Sequence, residues 1–424
     1  MKVLVVGGGG REHALAWALA RSPSVDQLVA APGNPGIEEV ARCEPVEASD
    51  VDGLCALAEK EAVDLVVVGP EAPLVAGLVD ALAERALAAF GPTAAGARIE
   101  GSKAWAKELC LRHGIPTAHA EITDDVTRAV MLLDAFDPPY VVKADGLAGG
   151  KGVTVAATRR EAIGALEASL VDRAFGPAGD RVVIEEHLAG REVSVLALTD
   201  GETVVDLEPA QDFKRMGDGD TGPNTGGMGA YSPVPFVASA TRGQIREEVL
   251  EPTVRALRTE GVTYRGVLYA GLMLTDEGPK VLEFNARFGD PETQAVLPRL
   301  EADLGELLLA CAEGRLNRAA VAWTPEACVT VILASGGYPG QHRIGLPIEG
   351  LDRAGNLDKT TVFHAGTARR DGTVVTAGGR VLGVSALGED LAVARDRAYR
   401  AVSMVTFEGM HHRTDIAEEA ASGG

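Results

Sequence analysis

The stretch KVLEFNARFGDPE carries Glu283, Asn285 and Arg287 at alternate positions. In an extended strand these three share one face, with Leu282 and Phe284 on the other. A carboxylate and an amide oxygen side by side are hard ligands that suit Mg²⁺, which completes its octahedron with water and phosphate oxygens. The same spacing also fits the polar outer face of an antiparallel strand. The glycine turn in FGDPE, directly after, favours a cleft shared with Arg287. In RVVIEEHLAGREVSV, Glu185 and Glu186 stand at a strand end with Glu192 close behind, a signal that an ordinary acidic strand-turn-strand would also give.

Two glycine-rich loops could hold phosphates. The chain opens MKVLVVGGGGREHALA, an apolar run, four glycines (Gly7 to Gly10) and a helix start. Free backbone N–H groups at a helix N-terminus suit an anion. A dinucleotide fingerprint is absent, because Glu12 stands where the last glycine belongs and the second strand ends LVAAP without a ribose-binding carboxylate. A tight turn without a ligand remains the alternative. The second loop, VVKADGLAGGKGVTV, is no P-loop, since Gly152 replaces Ser/Thr and a strand follows rather than a helix. A glycine hairpin of this kind can fold over phosphates as a flap, with Lys143 adding a fixed charge. A solvated hairpin is the competing reading. The stretch QDFKRMGDGDTGPNTGGMGAYSP mixes Asp212, Lys214, Arg215, Asn224 and Tyr231, a composition of an ordered functional loop rather than a linker. No Ser-His-Asp, Cys-His or H-E-x-x-H spacing occurs, and His411-His412 falls in an expected surface turn.

The elements that must position these groups follow from pattern. Strands at Lys2–Val6, Gln27–Ala31 and Leu65–Val68 alternate with helices at Glu12–Ala20, Val51–Glu61 and Leu74–Arg85. That order predicts a doubly wound parallel sheet, with the loops GGGGREH, PGNPG and GPEAP gathered at its carboxyl edge. Beyond Phe90-Gly91-Pro92 come a helix with Lys103 and Lys107, then β signals, a helix over Arg246–Thr259 and two further strands. From about Trp323 the pattern is α+β, with a helix expected over Leu391–Val405 and a frayed EEAASGG tail.

The 424 residues suffice for two to four domains, and 46% hydrophobic against 24% charged residues is ordinary for a globular chain. A net charge of −21 argues against nucleic-acid binding, so anionic substrates must meet locally placed cations and amides. Five scattered cysteines without a C-x-x-C pair suggest neither a disulfide framework nor zinc. No signal peptide or membrane span is evident, which implies a cytoplasmic setting with no membrane and no nucleic-acid partner.

Together, GGGGREHALA, APGNPG, VVGPEAPL, GSKAWAKELC, VVKADGLAGGKGV, DFKRMGDGDTGPNTGGMGAYSP, EFNARFGDPETQ and TAGGRVLGV resemble the ATP-grasp carboxylate–amine ligases, and within them the phosphoribosylamine–glycine ligase family. The single glycine patterns are weak, but their joint order and spacing are specific. The resemblance implies an α/β and α+β multidomain fold. Residues 1–100 would form an N-terminal doubly wound phosphoribosyl-binding domain. Residues 101–322 would form a central ATP-grasp region with a small β-rich lid subdomain (about 122–192), and 323–424 an α+β C-terminal domain.

The implied reaction is ligation of glycine to 5-phosphoribosylamine, giving glycinamide ribonucleotide, ADP and phosphate through a glycyl phosphate, in purine synthesis. Its needs would be ATP and Mg²⁺ (or Mn²⁺). By position, Lys103 and Lys143 would meet ATP phosphates under a flap including Gly149, Gly150, Lys151 and Gly152. Glu185 and the backbone at Leu188 would meet adenine, Glu192 the ribose, and Glu186 would also belong to the nucleotide site. Glu283 and Asn285 would bind the metal, though GVLYAGLMLT lacks the further acidic ligand of many relatives. Arg287, Asp212, Asn224, Thr225, Gly226 and Gly227 would orient glycine and the acyl phosphate, with Arg287, Asp212 and Lys143 the catalytic set. Gly9, Gly10, Arg11, Glu12, His13, Asn34, Gly36 and Glu71 would hold the phosphoribosyl group. A monomer or weak dimer is expected. An NAD-type oxidoreductase is disfavoured by the missing ribose carboxylate. A biotin carboxylase-like enzyme or another ATP-grasp ligase is the nearer alternative, and a non-catalytic scaffold the third.

Overall fold

The computed structural model describes residues 1–149, 152–317 and 321–423. Its first layer is a parallel sheet of β1 (Lys2–Gly7), β2 (Gln27–Pro32), β3 (Arg42–Cys43), β4 (Leu65–Val68) and β5 (Ala89–Phe90), in the order β3-β2-β1-β4-β5. The apolar runs of β1 and β4 are buried throughout, apart from Lys2, because helices cover both faces. The helix Gly10–Leu19 starts immediately after β1, and Glu12 reaches back to the Gly9 N–H at 2.7 Å. Gly7 has φ +117°, and a Cβ there would lie 2.6 Å from the Glu12 side chain, so only glycine fits this turn.

A second, antiparallel sheet runs Ala120–Thr123, Val182–Glu185, Tyr140–Ala144, Val153–Ala156. With the helices Val126–Leu132 and Arg159–Leu170 it encloses its own small core around Tyr140, Val142, Leu166 and Ile184. A third antiparallel sheet joins Val204–Asp206, Arg191–Thr199, Gly266–Thr275 and Gly278–Asn285. The fourth contains Ala327–Ala334, Arg380–Gly388 and Thr360–His364, and is completed by the earlier strands Gly229–Ser232 and Gln211–Asp212. The functional loop after Gln211 is therefore anchored in a sheet built mostly from the C-terminal third of the chain.

Several local expectations need correction. The helix expected over Leu74–Arg85 is two, Glu71–Val75 and Leu78–Glu84, broken at Gly77 with φ +87°. The helix expected from Arg246 begins at Ser239, and its middle, Arg246–Leu250, is π-helical. Pro252 lies just beyond and lacks an N–H, which accounts for the local change of hydrogen-bond pattern. The last long helix stops at Val402 rather than Val405. In the tail, where the sequence predicts fraying, Glu418–Ala421 is helical, with Ala420 and Ala421 against the main core; Gly424 lies outside the described residues. His411 is half-buried, its Nε2 3.0 Å from the Met216 carbonyl, rather than in a surface turn. All five cysteines are free thiols. Among the described residues no helix is long and apolar enough to cross a membrane.

Candidate functional site

A cleft of about 1110 Å³ is lined by groups from every region, among them Arg11, Lys143, Glu185, Asp212, Glu283, Arg287 and Arg380.

At one end, burial and charge are arranged around one carboxylate. Glu185, at the end of Val182–Glu185, lies 2.7 Å from Lys143 Nζ and 3.0 Å from Lys107 Nζ. Burial acts to raise the Glu185 pKa, but the two lysines hold it below the usual carboxylate range. Lys143 also donates to the Leu282 carbonyl at 2.8 Å, which aims its ammonium along the cleft. Both Glu185 oxygens thus serve to orient lysines. Lys107, present in the sequence but assigned no role there, is the missed member of this cluster. Its pKa is lowered by burial.

Leu188, Ala118, Met273 and Leu282 form a small apolar cluster, of which Leu188, Met273 and Leu282 line the cleft. Leu282 departs from expectation. A bulge pairs Gly271 with Glu283 but Leu272 with Val281, leaving Leu282 as the extra residue. All four residues Val281–Phe284 border the cleft, but Val281 and Phe284 are buried in the main core, whereas Leu282 and Glu283 are only half-buried and Leu282 joins the small cluster instead. Glu186 accepts from the His119 N–H at 2.9 Å, and Glu192 pairs with Lys214 at 3.1 Å. Lys103 donates to the Gly146 carbonyl at 3.2 Å, tying its helix to the flap. Gly149 and Gly152 are at the flap; Gly150 and Lys151 lie outside the described residues.

At the centre, the Glu283 carboxylate has no hydrogen-bond or ion-pair partner among the described residues, yet faces Lys214, Lys103, Lys143 and Arg287. Burial would raise its pKa, and those cations keep it lowered. Asn285 Oδ1 accepts from Arg287 at 3.2 Å. A free ionised carboxylate beside an amide oxygen fits a divalent ion that keeps water and phosphate ligands. Among the described residues no group of three or more His, Cys, Asp or Glu could hold a metal, and Gly271 stands opposite Glu283 on the preceding strand.

Beside this pair lies a polar cluster in which Asp212, named from the sequence, is joined by Glu292, Tyr269 and Ser194, which were not. The Tyr269 hydroxyl and Ser194 Oγ both donate to Glu292, a residue only 3% exposed. Burial, with Glu292 and Glu192 nearby, pushes the Asp212 pKa up to about 6, although Lys214 lies 3.2 Å away and pulls it down. Two carboxyl groups and a phenol in a desolvated corner make a natural receptor for an ammonium. In the adjoining loop, the Thr225 and Gly227 N–H groups are held by the Lys214 carbonyl and Thr225 Oγ1, and the Asn224 side chain faces the cleft.

At the far end, Arg11 contacts Glu12 at 2.6 Å, the Phe288 carbonyl at 3.1 Å and Glu71 at 3.9 Å. Arg287 donates to the same carbonyl at 3.2 Å and pairs with Glu71 at 3.3 Å and Glu100 at 2.9 Å. His13 Nδ1 accepts from the His364 N–H at 2.8 Å, and Asn34 bridges the Gly8 and His364 carbonyls and caps Gly36 and Ile37. These side chains hold the loop in shape and dock it on the C-terminal sheet. Arg11 and Glu71 line the cleft at this end together with Glu100, Arg287 and Asp290, and the first-turn amides from Gly10 onward have no intrahelical partner.

Family models match along the chain: the phosphoribosylglycinamide synthetase N domain over residues 1–100, its ATP-grasp (A) domain over 101–293 and its C domain over 328–419. The chain is 52% identical over 424 residues to a phosphoribosylamine–glycine ligase of Streptomyces coelicolor, covering 99% of this chain and 100% of that one. It is 51% identical to the enzyme of that name from Nostoc, covering 98% and 99%. The crystal structure of phosphoribosylamine–glycine ligase from Thermotoga maritima matches with TM-score 0.86 and 36% identity, covering 98% of this chain and 100% of that chain. The biotin carboxylase domain of Hydrogenobacter thermophilus 2-oxoglutarate carboxylase, at TM-score 0.74 and 17% identity over 99% of this chain and 97% of that one, shares the fold.

Proposed function

The chain belongs to the phosphoribosylamine–glycine ligase family, and on that footing we propose that it joins glycine to 5-phosphoribosylamine with cleavage of ATP to ADP and phosphate, yielding glycinamide ribonucleotide in purine synthesis. The observation that carries the reading is Arg287. Its guanidinium touches Asn285 at the proposed metal pair and Glu71 beside the glycine loop, so one residue spans the phosphoryl-transfer and amine ends of the cleft.

In this reading the glycine carboxylate oxygen attacks the γ-phosphorus of ATP, the bond to the bridging oxygen breaks, and ADP leaves. The phosphoribosylamine nitrogen then adds to the carbonyl carbon of glycyl phosphate. Phosphate departs with the bonding pair, and the nitrogen proton is lost. Lys143, steered by Glu185, and Lys103 neutralise the phosphates. Leu188, Leu282 and Met273 flank adenine, and Glu186 and Glu192 edge the nucleoside. Glu283 and Asn285 would hold Mg²⁺ or Mn²⁺, which would neutralise phosphate charge. Asp212 and Glu292 take the glycine ammonium, Arg287 and Asn224 the acyl end. The Gly9–Gly10 turn, the first-turn amides and Arg11 take the sugar phosphate. Catalysis is then positioning and charge neutralisation, without a protein nucleophile.

The test is ADP release by the purified protein with each component omitted in turn. It is expected only when Mg²⁺, glycine and phosphoribosylamine are all present. Robust release with bicarbonate in place of glycine would overturn the reading.

A further inference from the structure

The TAGGRVLGV stretch supplies a residue that the reading above leaves without a role. Arg380, at the start of the strand Arg380–Gly388, crosses from the C-terminal sheet into the cleft. One of its terminal nitrogens donates to the Gly226 carbonyl at 2.6 Å, the Asp290 carbonyl at 2.7 Å and the Gly227 carbonyl at 3.4 Å. The other lies 3.1 Å from the Asp290 carboxylate. From the opposite side, the Tyr338 hydroxyl accepts from the Gly226 N–H at 3.0 Å, and its ring is packed against Gly379, where a Cβ would lie 2.2 Å from it. Gly226 is thus gripped at its C=O by Arg380 of the C-terminal sheet and at its N–H by Tyr338 in the turn that follows the strand Ala327–Ala334.

The two segments that Arg380 ties together flank the ammonium receptor. One is the loop Asn224–Gly227, running on from Asp212 and Lys214. The other is Asp290-Pro291-Glu292, which ends on the carboxylate bound by Tyr269 and Ser194. They meet without slack: Gly227 has φ +108°, and a Cβ on it would lie 2.5 Å from Pro291. A planar guanidinium with a fork of donors can bond several carbonyls and a carboxylate at once, which a lysine ammonium on a flexible stem does less well.

We propose that Arg380, supported by Tyr338, is a positioning residue for glycine: it fixes the Asn224–Gly227 loop and Glu292 at the spacing that the amino-acid substrate requires. This rests on the glycine-ligase reading. The C-terminal sheet thereby sets amino-acid affinity while leaving ATP affinity alone.

Full-length Arg380→Ala, Arg380→Lys and Tyr338→Phe are to be compared with wild type by ADP release, varying glycine and ATP separately, alongside thermal melting. Arg380→Ala should raise the KM for glycine about tenfold or more while the KM for ATP stays within about twofold, since a displacement near 1 Å is costly only where it acts. Arg380→Lys should recover part of the loss, and Tyr338→Phe should shift glycine alone by about two- to fivefold, one neutral hydrogen bond. An unchanged glycine KM in Arg380→Ala, or parallel rises for glycine and ATP, would overturn the proposal. Should Arg380→Ala not fold, an unchanged glycine KM in Tyr338→Phe would do so. Wild-type protein lacking glycine-dependent ADP release would strike the glycine reading itself, a result that needs no variant.

Discussion

The Arg287 guanidinium stands 3.3 Å from the Glu71 carboxylate, joining the bend just after the Gly278–Asn285 strand to the first residue of the helix Glu71–Val75 across 216 residues of sequence. The same side chain meets Glu100 and Asn285, so its charge is balanced on the protein side while one edge still lines the cleft. Burial acts to lower its pKa, but Glu100 and Glu71 raise it, and it stays a cation throughout.

Arg287→Lys keeps the charge but loses the fork. We expect kcat to fall by about two orders of magnitude, as for loss of one fixed donor to a developing charge. Glu71→Gln should act mainly on the KM for phosphoribosylamine. Steady-state kinetics separate the two, and equal effects on both substrates in Glu71→Gln would refute the assignment.

Glu185→Gln leaves two buried lysines without their shared carboxylate. Removing one partner of a buried ion pair costs about 3–5 kcal/mol, so urea unfolding should show a loss of that order. The KM for ATP should rise with it, because Lys143 loses its orienting partner. A variant as stable as wild type would show that the lysines are held by other means.

Glu283→Ala should abolish activity at limiting Mg²⁺ and shift the Mg²⁺ requirement upward by at least about tenfold, the scale on which single ligand changes act. An unchanged Mg²⁺ titration would remove Glu283 from the metal site. Chelation of the metal should stop ADP release by wild type altogether.

Asp212, with its pKa raised to about 6, becomes neutral as pH falls through that value and then no longer attracts an ammonium. The kcat/KM for glycine should therefore drop on the acid side with an apparent pKa near 6. Asp212→Asn should lower activity and lose that limb. A profile flat between pH 5 and pH 7, pH values set by the experimenter around that titration, would exclude Asp212 from glycine binding.

His13 and His364 pack at the junction of the first sheet and the C-terminal sheet. Burial, reinforced by the neighbouring imidazole for His13 and by Arg369 for His364, lowers their pKa values to about 3 and about 4. Depressed native values mean that the unfolded chain takes up protons first. Stability is full above about pH 6.5 and is lost as pH falls toward those native values, by several kcal/mol at the low end. Denaturant unfolding at pH 7 and pH 5 should show the decline, and His13→Asn should flatten it. Equal slopes in the two proteins would locate the acid sensitivity elsewhere.

What could be read in one dimension was what local physics controls. Runs such as LVVV at β4, the glycine turn before Arg11 and the alternation that places Glu283 and Asn285 together depend on near neighbours, and they reappear in the fold at the expected places. Even there, the bulge at Leu282 depends on the partner strand, so alternation alone put Leu282 on the wrong face. Glu292, Tyr269, Lys107, Tyr338 and Arg380 carried no local signal. Each acquires its role from partners far away in the chain, as Arg380 does on Gly226 across 154 residues. The amino-acid sequence by itself determined the family, the fold class and the identity of the charged loops. Only the tertiary structure decided which carboxylates remain open to ligands and which are occupied by lysines and arginines, because pairing in a low-dielectric cleft depends on distances of a few ångströms that chain order does not encode.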